Sequence, residues 1–124
     1  MTITATDAPL TLHGFWRSTA SWRVRIALEW KGLAWAGVAH HLAQGEQRAP
    51  AYLALNPQAF VPSQEVGDAV LTQSLAICEY LDEVHPEPPL LPADPLDRAQ
   101  VRAFAQVIAC DIHPIQNLRV LKML

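Results

Sequence analysis

Three hydroxyl side chains, Ser18, Thr19 and Ser21, cluster in the stretch RSTASWRVRIALEWKG that begins at Arg17. An apolar run at helical spacing follows at once, so the cluster marks a helix start near Ala20. A helix start leaves backbone N–H groups without intrahelical partners and carries the positive end of the helix dipole. A serine or threonine there can cap the helix by accepting one of those N–H groups. The same groups can also hold an anion, a thiolate included. Arg17 and Arg23 add positive charge. On these residues two readings stay open, a cap alone and a cap that also grips an anion. No cysteine stands in the turn, whose central position is Ala20. A thiolate that reacts here therefore comes from a bound cofactor.

Two more places carry related chemistry. Val61-Pro62 precedes an expected strand. An X-Pro bond is cis in a minority of cases, so the dipeptide alone says little. A cis bond at this place would turn the Val61 backbone outward, where an extended peptide can pair with it as an added strand does. Gln73-Ser74 opens a second helical pattern. It is either a cap or a second helix start that receives a carboxylate through the Ser74 N–H and hydroxyl. Two helix starts and one free backbone edge suit a small anionic peptide bearing a thiol.

The histidines point elsewhere. His40 and His41 are adjacent on an expected strand and so face opposite ways, which prevents a shared metal. His85 beside Pro86 reads as solvated, and His113 before Pro114 reads as structural on the residues alone. The sequence has no HExxH, GxGxxG or CxxC pattern, so no zinc-protease, dinucleotide or thioredoxin redox motif is present. Cys78 and Cys110 read as two reduced, buried side chains.

The elements that must position these groups follow from periodicity. Leu10–Phe15 reads as a strand. Trp22, Ile26, Trp30 and Leu33 recur at helical spacing, with Val24, Ala27 and Leu28 widening the apolar face, and Gly32 is placed as a left-handed cap. A second strand is expected near Ala34–Leu42, then a helical turn in AYLALNPQ stopped by Pro57. Gly67-Asp68 joins expected strands at Ser63–Val66 and Ala69–Leu71. SLAICEYLDEVHP is a helix with Thr72 or Ser74 as its cap. PEPPLLPADP reads as a stiff linker ending in a strong helix start, with Asp94 as cap and Pro95 in the first position. The last helix runs from about Leu96 with an apolar stripe through Val101, Phe104, Ala105, Ile108, Ile112 and Ile115, and Pro114 should kink or break it.

The order is strand, helix, strand, turn, hairpin, helix, linker, helix. It predicts an α/β fold, a thioredoxin-like domain followed by the first helix of an all-helical domain. The expected division is a flexible tail at 1–9, the thioredoxin-like domain at 10–85, a linker at 86–95 and the start of the helical domain at 96–124. The chain has 124 residues, 51% hydrophobic and 17% charged, with a net charge of −3. That charge argues against a nucleic-acid footprint. No apolar run approaches a membrane span, no secretory leader is evident, and the thiols fit a cytoplasmic setting. A chain so apolar for its size is expected to need a partner surface.

FWRSTASWRVRIALEWKGL, ALNPQAFVP, LTQSLAICEYLDEVHPEPPLLPADPLDRAQVRA and CDIHPIQNLRVLKML resemble the zeta-class glutathione transferases. More narrowly, they resemble the bacterial maleylacetoacetate and maleylpyruvate isomerases. The likeness runs from about Leu10 to Leu124. It implies a glutathione-binding thioredoxin-like domain and a helical domain that in the family continues beyond its first helix, so the chain is expected to be incomplete. It also implies glutathione as cofactor, a small cis enone diacid as substrate, and a homodimer.

Residue by residue, the resemblance implies that Ser18 donates to the glutathione sulfur and that Thr19 keeps a hydroxyl where the family has serine. Ala20 replaces a family cysteine that relatives acting on maleylpyruvate also lack. Ser21, Trp22 and Arg23 complete the turn. Val61 would pair with the cysteinyl backbone, Gln73 and Ser74 would take the γ-glutamyl carboxylate, and Gln47 would lie near the glycyl end in a loop shorter than the family's. His113, Asn117 and Arg119 fall where the family's first long helix meets the site. Ser63-Gln64 is polar where the family is apolar. The implied activity is cis–trans isomerisation by reversible thiolate addition in the catabolism of aromatic compounds, with Arg17 a candidate partner for the enolate. The alternatives are a transferase or dehalogenase that consumes glutathione, and a fragment that binds glutathione without turnover.

Overall fold

The computed structural model describes residue 4 and residues 6–124, so part of the expected tail at 1–9 lies outside the described residues. The chain divides into two compact units, Met1–Leu90 and Leu91–Leu124. In the first, β1 (Leu10–Gly14) leads into α1 (Thr19–Trp30), then β2 (Ala36–Ala39), two 3₁₀ turns (Leu42–Gln44 and Glu46–Arg48), and α2 (Pro50–Leu55). A hairpin of β3 (Ser63–Val66) and β4 (Ala69–Thr72) follows, then α3 (Ser74–Val84). The sheet order is β2-β1-β3-β4, with β1 parallel to β2 and antiparallel to β3. This is the thioredoxin-like arrangement expected from the element order.

The core lies between β1, α1 and α3. Leu10 and Leu12 of β1 meet Val24, Ala27 and Leu28 of α1 and Ile77 and Leu81 of α3. The stripe expected to lead α1 inward instead faces out: Trp22, Ile26 and Trp30 are 48%, 61% and 62% exposed. The buried positions are Ser21, Val24, Ala27 and Leu28. The cause is a polar contact. The Ser21 hydroxyl accepts the Phe15 N–H at 3.3 Å, and Gly14 lies so near that an added Cβ would stand 3.1 Å from Ser21 Cβ and Oγ. The outward stripe forms the wall of a surface groove with Trp35, Arg25 and Glu29.

Gly32 has φ of +65°, as a left-handed helix end requires. Beside it Lys31 is the buried anchor of the unit. Its side chain is fully buried, and Nζ donates to Asp82 Oδ1 at 2.8 Å, His85 O at 2.6 Å and Pro88 O at 2.8 Å. The other use of Asp82 Oδ1 is to accept the Leu90 N–H at 2.8 Å. One cation thus ties the end of α1 to the end of α3 and to the proline-rich segment.

The opposite face of the sheet holds a polar chain. His13 Nε2 donates to Glu65 at 2.7 Å, and His13 Nδ1 and His40 Nε2 share a hydrogen bond at 2.9 Å. The Tyr52 ring of α2 lies 4.4 Å from the His40 ring, centroid to centroid. The expected long second strand shrinks to four residues because His40 and His41 leave it. His40 turns into this chain, whereas His41 packs on Phe15. Of the polar pair Ser63-Gln64, Ser63 finds its reason here, whereas the buried Gln64 Oε1 has no partner among the described residues. Ser63 hydrogen-bonds Tyr52 Oη at 2.8 Å, while Gln64 is fully buried on the other face and donates to the Glu65 carbonyl at 3.1 Å.

In the second unit, Asp94 caps α4 (Pro95–Gln106) by accepting the Leu96 and Asp97 N–H groups, both at 3.0 Å. Pro114 acts upstream of itself. It has no N–H to give the preceding turn and its ring crowds that turn. The chain widens into a π turn over Val107–Ile112, with the His113 N–H reaching the Ile108 carbonyl. Two short helices follow, α5 (His113–Gln116) and α6 (Leu118–Leu121). Both cysteines are free, but Cys78 is only partly buried and Cys110 is exposed, where both were expected to be buried. No helix among the described residues is long and apolar enough to cross a membrane.

Two predictions follow from these buried polar groups. Lys31→Met leaves Asp82 and two carbonyls without their cation and should lower the unfolding free energy by about 3 kcal/mol, read by urea denaturation; a loss near zero would show that the anchor is dispensable. His40 is held below the ordinary imidazole value of 6.5, first by burial and then by neighbouring His13, with Glu46 opposing. The unfolded chain therefore takes up this proton at higher pH than the folded one. The stability contribution is complete above 6.5 and is lost as pH falls through the folded value. His40→Gln should flatten the dependence of the denaturation midpoint on pH between about 7 and 5.

Candidate functional site

The first helix start is built by Ser18. Its backbone is extended, and its Oγ accepts the Ser21 N–H at 3.1 Å while its carbonyl accepts the Trp22 N–H at 2.9 Å. A hydroxyl has one hydrogen to give and lone pairs to receive. With a lone pair taken by the helix, Ser18 keeps its O–H to donate outward, at the positive end of α1. Thr19 is exposed as the first helical residue and Ala20 is the second.

The remaining residues of the turn do different work. Ser21 is fully buried under β1 and holds the turn together. Trp22 donates from Nε1 to the Trp16 carbonyl at 2.6 Å and carries the Arg25 guanidinium 4.5 Å from its ring centroid. Arg17 is exposed, with its guanidinium 5.7 Å from the Trp16 ring centroid. Arg23 points the other way, toward α3, where its Nη1 donates to Ser74 Oγ at 2.5 Å.

That bond joins the two helix starts, and the sequence did not disclose it. It also alters the expected cap. Neither Thr72 nor Ser74 caps α3; Gln73 occupies that position without a side-chain cap, and Ser74 is the first helical residue. Gln73 has φ of +71°, a left-handed value unusual for a residue with a Cβ. Its amide donates to Gln58 Oε1 at 3.1 Å. Strain of this kind persists where the surroundings hold it, and it concentrates at ligand-binding positions.

The Val61-Pro62 bond is cis and stands directly before β3. The loop leading to it is pinned from behind: Tyr52 Oη and Asn56 Nδ2 both donate to the Phe60 carbonyl, the latter at 3.0 Å. The burial of Tyr52 raises its phenol above the ordinary value of 10.0, so it stays a donor. Gln47 lies in the turn Glu46–Arg48, with a buried amide oxygen that has no protein partner among the described residues.

The structure thus joins Arg23 of α1 to Ser74 of α3, while Ser18 stands at the start of α1. His113, Asn117 and Arg119 belong to the second unit. There Asn117 is a cap on both sides, its Oδ1 accepting the Val120 N–H and its Nδ2 donating to the Pro114 carbonyl, both at 3.1 Å.

Cys78, the cysteine of this unit, does not offer the site a thiolate. Burial pushes the Cys78 thiol up to about 11, against a small lowering by Arg23, so near neutral pH it is protonated and inert. What remains is a set of polar groups: two hydroxyls, two helix starts and the half-buried Val61 backbone before a strand. Such a set fits an anionic peptide that brings its own thiol.

Comparison with known proteins identifies the family to which this fold belongs. Residues 12–89 match the family described as Glutathione S-transferase, N-terminal domain. The chain is 50% identical over 115 residues to a maleylpyruvate isomerase of Ralstonia sp, covering 93% of this chain and 54% of that protein. It is 50% identical over 118 residues to a maleylacetoacetate isomerase of Pseudomonas aeruginosa, covering 93% and 56%. Among solved structures, the holo form of a zeta-class maleylpyruvate isomerase superposes with a TM-score of 0.88 at 50% identity, covering 90% of this chain and 53% of that one. The glutathione-bound maleylacetoacetate isomerase of Anaeromyxobacter dehalogenans 2CP-1 gives 0.82 at 45%, covering 93% and 55%. The chain spans about half the length of the curated relatives it matches. Carrying that N-terminal domain on a thioredoxin-like fold, the chain belongs to the glutathione S-transferase family and resembles its zeta class.

Proposed function

We propose that this chain is the glutathione-binding portion of a cis–trans isomerase acting on enone diacids of the maleylacetoacetate type. The observation that carries the proposal is the polarity of Ser18: its acceptor side is spent on the helix, and its hydrogen is left to meet a thiolate. When bound, glutathione supplies a nucleophilic thiol that is regenerated at the end of each turnover. Ser18 and the positive end of α1 favour the ionised thiol, because a hydrogen bond to a charged form lowers the pKa of that group. Thr19 and Ala20 are the first two helical residues of the same turn. The Val61 backbone pairs with the cysteinyl unit, Gln73 and Ser74 receive the γ-glutamyl carboxylate, and Gln47 lies toward the glycyl end. Glutathione bound in the Anaeromyxobacter relative, at 45% identity, supports this ligand.

A maleylpyruvate substrate is the second reading. It is favoured by the Ralstonia isomerase, which matches at the same identity as the Pseudomonas enzyme. Both substrates present a cis double bond conjugated to a carbonyl, and both reactions return the thiol.

Ser18→Ala should raise the pKa of the bound glutathione thiol by about one unit, the equivalent of roughly 1.4 kcal/mol. Thiolate absorbance titrated against pH reads this directly, and an unmoved titration would remove Ser18 from the role. Isomerase turnover by a protein containing this chain should leave total glutathione constant. Loss of glutathione in step with product would assign the protein to conjugation or dehalogenation instead.

A further inference from the structure

Arg23 is a charged side chain that reaches from the first helix start to the second. It is half-buried, and its guanidinium donates to Ser74 Oγ at 2.5 Å. Its main chain reaches the same helix, since the Arg23 carbonyl faces Cys78 Sγ at 3.9 Å. Ser74 and Cys78 are one turn apart on α3, so Arg23 grips one face of that helix at two points.

The guanidinium has five N–H donors and no acceptor. Its bond to Ser74 must therefore occupy a lone pair of the hydroxyl oxygen. The Ser74 hydrogen is then directed away from Arg23, and the hydroxyl is fixed as a donor. Without that bond the Ser74 hydroxyl would be free to rotate its hydrogen toward any nearby acceptor. Ser18 is set the same way by the Ser21 N–H. The two hydroxyls thus share one polarity, each with its acceptor side filled from within the protein.

We propose that Arg23 is a positioning residue, which orients the buried Ser74 hydroxyl to donate to the γ-glutamyl carboxylate of glutathione without itself touching the ligand. This inference rests on the glutathione reading above. Arg23 sets affinity through Ser74, whereas Ser18 sets the ionisation of the thiol.

The test is a double-mutant cycle on the full chain, with glutathione binding read by calorimetry. Ser74→Ala should weaken binding about tenfold in the parent, as loss of a hydrogen bond to a charged group does. Arg23→Met should weaken it by a similar factor, and Ser74→Ala added to Arg23→Met should cost little more. Arg23→Lys retains a donor and should recover most of the affinity. The thiol pKa of bound glutathione should stay unchanged in Arg23→Met, which a general disruption of the α1 start would not allow. The Ser74→Ala loss should also vanish for a glutathione analogue lacking the γ-glutamyl α-carboxylate. Additive losses in the cycle, or an Arg23→Lys variant as weak as Arg23→Met, would overturn the positioning role and leave the glutathione reading intact. Absence of glutathione binding to the parent chain would overturn that reading and the inference with it.

Discussion

The hydroxyl of Ser21 accepts the Phe15 N–H under the end of β1, and that contact fixes how α1 is turned about its axis. Everything else on the helix follows from this rotation. Ser21, Val24, Leu28 and Lys31 share one face, at spacings of three and four residues. The apolar members enter the core, and Lys31 reaches the far end of α3. Arg23, off the centre of that face, is carried to Ser74 at the near end. Ser18 is left at the helix start with its hydrogen outward. A residue larger than glycine at position 14 would crowd Ser21, so the close approach of β1 and α1 depends on both residues.

Periodicity alone could not select that rotation. The sequence of α1 holds two apolar stripes, Trp22-Ile26-Trp30 and Val24-Ala27-Leu28, with the same helical spacing. Size and hydrophobicity favour the first, and the structure buries the second. The deciding residue is a serine, which no hydrophobic pattern would place in a core. Elements whose signal is local were legible: the β3–β4 hairpin around Gly67-Asp68, the Asp94-Pro95 helix start and the left-handed Gly32. What depended on partners distant in sequence was not. The shortening of β2 comes from His40 joining His13 and Glu65, and the Gln73 position at the start of α3 is tied to Gln58. The polar Ser63 likewise made sense only once Tyr52 was in place.

The same division holds for the site. Its residue types could be read from the Ser-rich turn, from Val61-Pro62 and from Gln73-Ser74, because helix starts and X-Pro bonds have sequence signatures. The direction in which each hydroxyl points has none. A serine side chain is donor and acceptor at once, and only its occupied neighbours decide which function it presents. At Ser18 the neighbour is a backbone N–H three residues on, a local feature. At Ser74 it is a guanidinium fifty-one positions away in the chain.

This matters for where reactivity can reside. Cys78 lies close to the same arginine, yet burial outweighs that charge and holds its thiol up to about 11. Ala20 puts no thiol in the turn at all. The chain thus separates two things that many thiol sites combine: the groups that favour an anion, and the sulfur that becomes one. A buried cysteine under the core side of α1 gains nothing from the helix dipole, whose effect falls off within the first turn. A sulfur arriving from outside at Ser18 meets that end of the helix directly. The fold supplies the field and the hydrogen bond, and the ligand supplies the atom that reacts.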